Sequence, residues 1–576
     1  MRIERDPARL DDAYDLLVVG GGITGVNVAR EAAGRGLRTL IIDKGDFGYG
    51  TSSATSKLIH GGIRYLETYE FGVVRESLRE RRVLALAAPH MVSQQRFLMP
   101  AWRWSKPPTA LIGAGVGLYT ALGYDRNRNM PKAMRIPMPR WVGRKALLQA
   151  VPWIDPEGLQ GAFAYHDTFN LHPERLLLAL LGSAVAAGAQ AFNHVEAVGF
   201  ITEPVAGDAR ASGTITVCGV EVLDHSTGRH HQVRARTVVN AAGPWIDLVL
   251  ARLGKPMGVK VNRSKGVHLL TRPVGNAGQV TDTVFARARS GRHVIVSPWQ
   301  GYSFIGPTDT PVDDTPDTVR ADHDDVELIL STVNDTISNG FPKLTAADIE
   351  ATTVGIRPLI VDEGKDSYST SRRHELYNHA PSGVVNLWSI DGGKWTTGRA
   401  LGQETVDAVA KAPVLRGVTL RPFDSSRAPA AGTFAWAHDP APFLAQAAAA
   451  RPALGLSAVT LTHLARLYGT DYVRVLDLVA HDARLAQPVS DRPERLDIAA
   501  QAVFAVTDEG ARTLSDVLDR RLVIGTLGTV SRLEVERVAM AVAPVLGWSL
   551  EQTSAAVESE LARRAAIAAR WQRVSV

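Results

Sequence analysis

Two stretches hold residues whose types and spacing suit chemistry. In the first, Lys57-Leu58-Ile59-His60-Gly61-Gly62-Ile63-Arg64-Tyr65-Leu66, a titratable ring, two glycines, a guanidinium and a phenol crowd into a few residues. An imidazole titrates near neutral pH, so His60 is the first candidate for a general base, with a histidine satisfied by backbone groups as the plainer alternative. In the second, an apolar run enters Gly20-x-Gly22-x-x-Gly25. Gly20 permits a sharp turn, Gly22 lets the backbone approach a pyrophosphate, and Gly25 lets a helix pack closely on a strand, with the helix N-terminus facing negative charge. Asp43 closes the next apolar run, where a carboxylate can accept hydrogen bonds from the adenosine ribose hydroxyls. Together the two stretches suggest proton transfer beside a bound dinucleotide, and the glycine pattern alone admits a nicotinamide enzyme as readily as a flavin one.

The elements that must hold these residues follow from periodicity and turn chemistry. Leu16 to Val19, the Ala-rich segment to Arg35 and Leu37 to Ile42 predict strand, helix and strand. Gly48, Gly50 and the hydroxyls of Thr51, Ser52, Ser53, Thr55 and Ser56 predict an open loop beside the dinucleotide. A helix is expected over 70–88 and another from Pro173 to near Gly188, with proline tolerated in its first turn. AFNHVEAVGFI alternates like a strand, Glu203 to Gly213 reads as a hairpin tip, and Val233 to Ala241 leads into the turn Ala242-Gly243-Pro244-Trp245. From Val259 to Pro358, short alternating runs separated by turn residues predict an antiparallel sheet. VVNLWSI predicts a strand, and Asp391-Gly392-Gly393-Lys394 a helix opening at Trp395, whose amides could stabilise negative charge. Beyond about Pro422 a linker-like stretch gives way to Ala/Leu/Arg-rich helical periodicity, with packing or association as its default role.

Composition narrows the classes. A chain of 576 residues predicts two or three domains, and 45% apolar with 21% charged residues is globular. The single cysteine, Cys218, excludes a disulfide framework or a cysteine-rich metal site within the chain, and no metal is expected. The polar start, MRIERDPARLDD, lacks the apolar core of a secretory signal. A net charge of +5 fits a solvated surface, or attraction to anionic lipid or a phosphorylated substrate; without a basic run, nucleic acid is not an expected partner. The uncharged stretch from Pro107 to Tyr124, rimmed by Trp102, Trp104, Lys106, Arg126 and Arg128, is either a buried helix or an apolar face in a membrane interface. Burial is the physical default.

GGGITG followed by TSSATSKLIHGGIRYLE resembles the FAD-dependent (aerobic, respiratory) glycerol-3-phosphate dehydrogenase family, a branch of the D-amino-acid-oxidase-like flavoproteins. NAAGPW (240–245), SKGVH (264–268), FIGPTD (304–309), GIRPL (355–359) and GGKWTT (392–397) continue the match in family order, and Tyr468-Gly469-Thr470 resembles a turn of its C-terminal domain. The resemblance implies an α/β fold: a Rossmann-like FAD-binding domain (1–90, 160–255 and 375–420), an antiparallel-sheet substrate domain (91–159 and 256–374) and a C-terminal α-helical domain (424–576). It implies FAD contacts from Gly20, Gly22, Ile23, Thr24 and Gly25, then from Asp43 and Lys44. Further contacts are expected from Thr51, Ser52, Ser53, Ser56, Lys57, Leu58, His60 and Gly61. Val195 would meet the adenine, and Ala242, Gly243 and Trp245 would touch the cofactor. Gly392, Gly393, Lys394, Trp395 and Thr396 complete the set. Arg64, Tyr65, Arg357, Lys394 and Thr396 are the implied substrate contacts, and His60, Arg357 and Lys394 the catalytic ones; the roles of Lys265 and His268 stay open. Departures at Asp391, Trp395 and Gly398 surround Lys394 and bear on pocket shape.

The implied reaction is hydride transfer from C2 of sn-glycerol 3-phosphate to flavin N5, with electrons passed to a quinone. Because bacterial members of the family are monotopic, the resemblance tips Pro107–Tyr124 toward a membrane interface, and places the protein in the cytoplasm at the inner face of the cell membrane. A homodimer is left open. The competing enzyme is an oxidase that gives electrons to dioxygen; a tRNA-modifying flavoprotein or a membrane interaction protein that has lost catalysis are the readings of another class.

Overall fold

Ala13–Val19, almost wholly apolar and buried, is the middle of a nine-stranded sheet. The computed structural model describes Ile3, Leu10 and residues 13–204, 213–276, 281–360, 373–433 and 438–571. Across this sheet the order is His374–Asn378, Leu387–Gly392, Arg229–Asn240, Ala13–Val19, Thr39–Ile42 and Gln190–Phe192. The last five are parallel, with Val18 opposite both Val239 and Ile41. Strands covered on both faces read as continuous apolar runs, as Ala13–Val19 and Thr39–Ile42 largely do. Ile23–Gly34, Pro173–Ala186 and Gly398–Val409 pack as helices around one cluster against the sheet. Val195–Pro204 and Ile215–Asp224 extend the sheet antiparallel from Arg229–Asn240.

The second sheet has ten strands, and Val261–Thr271, Tyr302–Gly306, His293–Trp299, Thr283–Arg287, Val92–Trp102 and Leu159–Asn170 lie side by side in it. Its pairings are antiparallel as expected, except that Thr283–Arg287 runs parallel to Val92–Trp102. Leu58–Ile59 and Leu159–Asn170 belong to this sheet, so the chain enters it before 90 and leaves it after 160. Helix His323–Asn334 covers the sheet and is opened by a reciprocal cap between Asp322 and Asp325.

Two local expectations change, and a third reading, left open between burial and exposure, takes its exposed form. The helix after Lys394 opens at Gly398 and not at Trp395, because Gly392 and Gly393 take φ of +74° and +89° and residues 395–397 form a turn. The strand AFNHVEAVGFI breaks into Gln190–Phe192 and Val195–Pro204 at His194, whose φ is +55°. Pro107–Tyr124 contains a helix, Thr109–Leu122, that buries only Val116 and Tyr119 and leaves Leu111 59% and Leu118 42% exposed. The expected hairpin tip lies mostly outside the described residues, as do 434–437 of the linker-like stretch.

Of the C-terminal helices, Ala499–Thr507, Arg532–Leu546 and Leu550–Ala569 build their own core, whereas Ala458–Tyr468 joins a cluster shared with the second sheet. They dock on the first layer through buried ion pairs: Arg175 with Glu509, and Arg520 and Arg521 with Asp46.

Candidate active site

A cavity of about 390 Å³ opens along the C-terminal edge of the parallel strands, where ligands of such sheets bind. Gly20, at φ +110°, turns the chain from strand to helix. A Cβ on Gly25 would sit 1.9 Å from the Gly20 carbonyl oxygen, so only glycine lets the helix meet the strand this closely. The helix Ile23–Gly34 starts with no side-chain cap and no acid in its first turn, and Gly22, Ile23 and Thr24 line the cavity there. Ser52 Oγ accepts from the Ile23 amide at 2.9 Å. Asp43 closes the far side: its carboxylate accepts from the Gly21 and Gly45 amides at 2.6 and 2.8 Å, and burial pushes its pKa up against those two donors. Lys44 reaches Asp317 at 2.7 Å and lies 4.7 Å from the Trp245 ring, so both residues sit at the rim with Val195 lining the wall. An elongated space with a helix N-terminus free of acidic residues at its middle and an acid at one end fits FAD: Gly20 to Thr24 would hold the pyrophosphate and Asp43 the ribose.

A second cavity of about 240 Å³ continues from the first, sharing Ser56, Tyr65 and Arg357 with it. His60, Arg64 and Leu58 line it, with Asp167, Tyr165, Arg292, His293 and Asp309. The Lys394 ammonium lies 3.9 Å from the Tyr65 ring centroid and donates to Ser77 Oγ at 3.1 Å. The Arg64 guanidinium lies 5.7 Å from the same ring. Arg357 donates to the Thr308 carbonyl at 3.1 Å and lies 3.7 Å from Asp309. Burial lowers the His60 pKa to about 4; Asp167 pulls it up, while Lys394, Arg64 and Arg81 add to the fall. His60 is therefore neutral at physiological pH and can accept a proton.

Other expected residues fall differently. Lys57 is buried in an ion pair with Glu174 at 2.7 Å, its ammonium 5.0 Å from the Trp299 ring, so its side chain turns away from both cavities. Ser53 Oγ donates to the Gly50 carbonyl and Thr396 is buried; neither lines a cavity, whereas Thr51 and Ser56 do. Gly392, Gly393, Lys394 and Trp395 line the first cavity with Ala242 and Gly243. Gly61 lies just behind the second, its amide donating to Tyr119 Oη. Lys265 pairs with Asp322 and Asp325, whereas His268 lines the first cavity, stacks on Phe304 and meets Ser56 Oγ at 2.8 Å. Sequence reasoning missed Asp167 and His293, in ordinary strands, and Arg292, just before the second of them; the FIGPTD motif did contain Asp309.

Residues 15–408 match the model of the FAD-dependent oxidoreductases, and 428–553 that of the C-terminal domain of alpha-glycerophosphate oxidase. A glycerol-3-phosphate dehydrogenase from Synechocystis is 34% identical, covering 95% of each chain. Glycerol-3-phosphate dehydrogenase 2 from Mycobacterium tuberculosis is 33% identical over 96% of this chain and 88% of its own. The crystal structure of glycerol-3-phosphate dehydrogenase from Bacillus halodurans, complexed with FAD, superposes with a TM-score of 0.76 at 27% identity, covering 99% of this chain and 98% of that one. The chain belongs to the FAD-dependent glycerol-3-phosphate dehydrogenase family.

Proposed function

We propose that the chain oxidises sn-glycerol 3-phosphate to dihydroxyacetone phosphate and passes the electrons to a quinone at a membrane surface. The observation that carries this reading is the junction of the two cavities at Tyr65 and Arg357, with Arg64 and Lys394 beside it. FAD, when bound, supplies the acceptor for the C2 hydride. Arginine's planar fork suits phosphate oxygens, so Arg64 and Arg292 bind the substrate's anionic end. His60 accepts the C2 hydroxyl proton as the ketone forms, and Arg357 and Lys394 stabilise the oxygen's developing negative charge. The wall of Phe97, Tyr165, Phe285 and Ile295 keeps water from the reacting carbon.

The exposed helix Thr109–Leu122 supports a peripheral membrane role. Leu111, Leu118, Tyr124, Met138 and Trp141 are exposed around it, and Lys106, Arg128, Lys132, Arg135 and Arg140 are exposed beyond them. An apolar patch with an aromatic and basic rim suits an anionic interface. Among the described residues no helix is long and apolar enough to cross a membrane. Dioxygen is the alternative acceptor, favoured by the likeness of 428–553 to an oxidase domain.

Steady-state turnover with sn-glycerol 3-phosphate, a soluble quinone and anionic vesicles tests the proposal. Quinone reduction that exceeds oxygen uptake, with protein sedimenting on the vesicles, is the expected result. Oxygen uptake unaffected by quinone selects the oxidase, and failure of a Leu111→Ser, Leu118→Ser double variant to weaken sedimentation removes the helix from the interface.

A further inference from the structure

The exposed apolar helix is tied to the substrate cavity by one side chain. Tyr119, buried on the inner edge of Thr109–Leu122, accepts the Gly61 amide at 2.8 Å and donates to Asp167 Oδ2 at 2.8 Å. Burial and the Asp167 charge raise the pKa of this phenol, so it remains a donor. Asp167 Oδ1 accepts from Arg81, which also donates to the His166 carbonyl at 3.2 Å. The ring is fixed edge-on against Tyr165, 5.9 Å away at 78°, and Tyr165 stacks on Phe97 at 5.2 Å. Position 61 is shaped to this contact: a Cβ there would lie 2.4 Å from the Tyr119 hydroxyl and 2.6 Å from Leu78 Cδ2. Gly61 directly follows His60, and His60 and Asp167 line the same cavity. This amide–phenol–carboxylate chain starts just behind the cavity, at the residue after His60, and ends at the cavity wall on Asp167, so it links the helix to both.

We propose that Tyr119 is a positioning residue for the reaction: it holds the His60–Gly61 backbone in place and sets how much of the Asp167 charge His60 feels. This inference rests on His60 acting as the proton acceptor. The groups facing His60 are Asp167 from the strand Leu159–Asn170, Arg81 from the helix Phe71–Ala87, Arg64 from its own segment and Lys394 from the turn after Leu387–Gly392. Removing the phenol leaves the Asp167 carboxylate less dispersed, which favours protonated His60. Removing the carboxylate leaves three cations facing the ring, which disfavours it.

The FAD-loaded enzyme tests this with Tyr119→Phe, which keeps the ring and deletes the hydroxyl, and Asp167→Asn. Tyr119→Phe is expected to retain FAD, to slow anaerobic flavin reduction by sn-glycerol 3-phosphate about tenfold, and to move the acid limb of kcat/KM to higher pH. Asp167→Asn is expected to move that limb to lower pH; loss of stability alone would not shift the two variants in opposite directions. Amide exchange in the peptide spanning 58–66 should accelerate about tenfold in Tyr119→Phe as the Gly61 donor loses its acceptor. Unchanged exchange overturns the proposal, as does a normal reduction rate and acid limb in Tyr119→Phe. If the wild type is not reduced by this substrate while exchange does accelerate, Tyr119 still positions the segment and only the substrate assignment falls. Should Asp167→Asn fail to fold with Arg81 buried beside it, Tyr119→Phe decides the question by itself.

Discussion

Two groups of arginines flank the cofactor cavity and are used in opposite ways. At the C-terminal domain, Arg521 binds both oxygens of Asp46 at 2.6 and 2.9 Å, Arg520 bridges Asp46 and Asp516, and Arg175 grips Glu509 with both terminal nitrogens. All are buried, and Asp46 sits on the loop just beyond Asp43, so this clamp fastens the helical domain to the Asp43 end of the cavity. At the other end Arg64 and Arg357 line open space, held by the Tyr65 ring, the Thr308 carbonyl and an Asp309 carboxylate 3.7 Å away. A guanidinium closed on a carboxylate fixes structure, whereas one aimed into a cavity recognises an anion that arrives from outside.

The sharpest contrast comes from truncating one arginine in each group. Arg521→Met leaves Asp46 half-compensated in a buried place and should cost about 3–5 kcal/mol, read as a large fall in the thermal midpoint and weaker FAD retention. An unchanged midpoint would erase the distinction. Arg357→Ala should leave midpoint and FAD content near those of the wild type but lower kcat/KM about 100-fold, since it removes a donor that acts on developing charge. Unaltered kinetics would remove Arg357 from the site.

Acid should act on the buried histidines before it acts on the clamp carboxylates. Burial holds the pKa of His60 and His379 at about 4 and that of His90 and His268 at about 3, below the 6.5 of an exposed ring. The unfolded chain therefore binds these protons first, and stability declines as pH falls from about 6.5 toward 4. The clamp carboxylate Asp516 is lowered too, but by its partners: against its burial, His194, Arg520 and Arg521 hold its pKa well below the usual range. Its contribution is present above about pH 4 and is lost only below that. Urea unfolding against pH should show a first decline above pH 4 and a steeper one beneath it; a single decline confined below pH 4 would contradict the histidine contribution.

Much of this was legible in the chain. The strand–turn–helix of Ala13–Gly34 and the parallel strands show as apolar runs broken by glycine, because burial on both faces and a tight turn each demand a narrow residue set. Arg64, Arg357 and Lys394 were readable as cavity cations only through motif resemblance; as cations they look like Arg520 and Arg521, whose shared partner Asp46 lies hundreds of positions away. Tyr119 was hidden inside a stretch whose hydropathy speaks of its outer face, and Asp167 inside a strand. The late start of the helix at Gly398 followed from two successive positive φ angles that the dipeptide Gly392-Gly393 permits without requiring.

The central claim is that the cavity cations read a phosphate beside a bound flavin, and an anaerobic absorbance titration tests it most directly. The purified, FAD-loaded protein is titrated with sn-glycerol 3-phosphate and, separately, with glycerol. Bleaching of the flavin band at low concentrations of the phosphorylated substrate, with glycerol inert over the same range, is the expected result. Equal bleaching by glycerol, or none by either compound, would contradict the roles given to Arg64, Arg357 and Lys394.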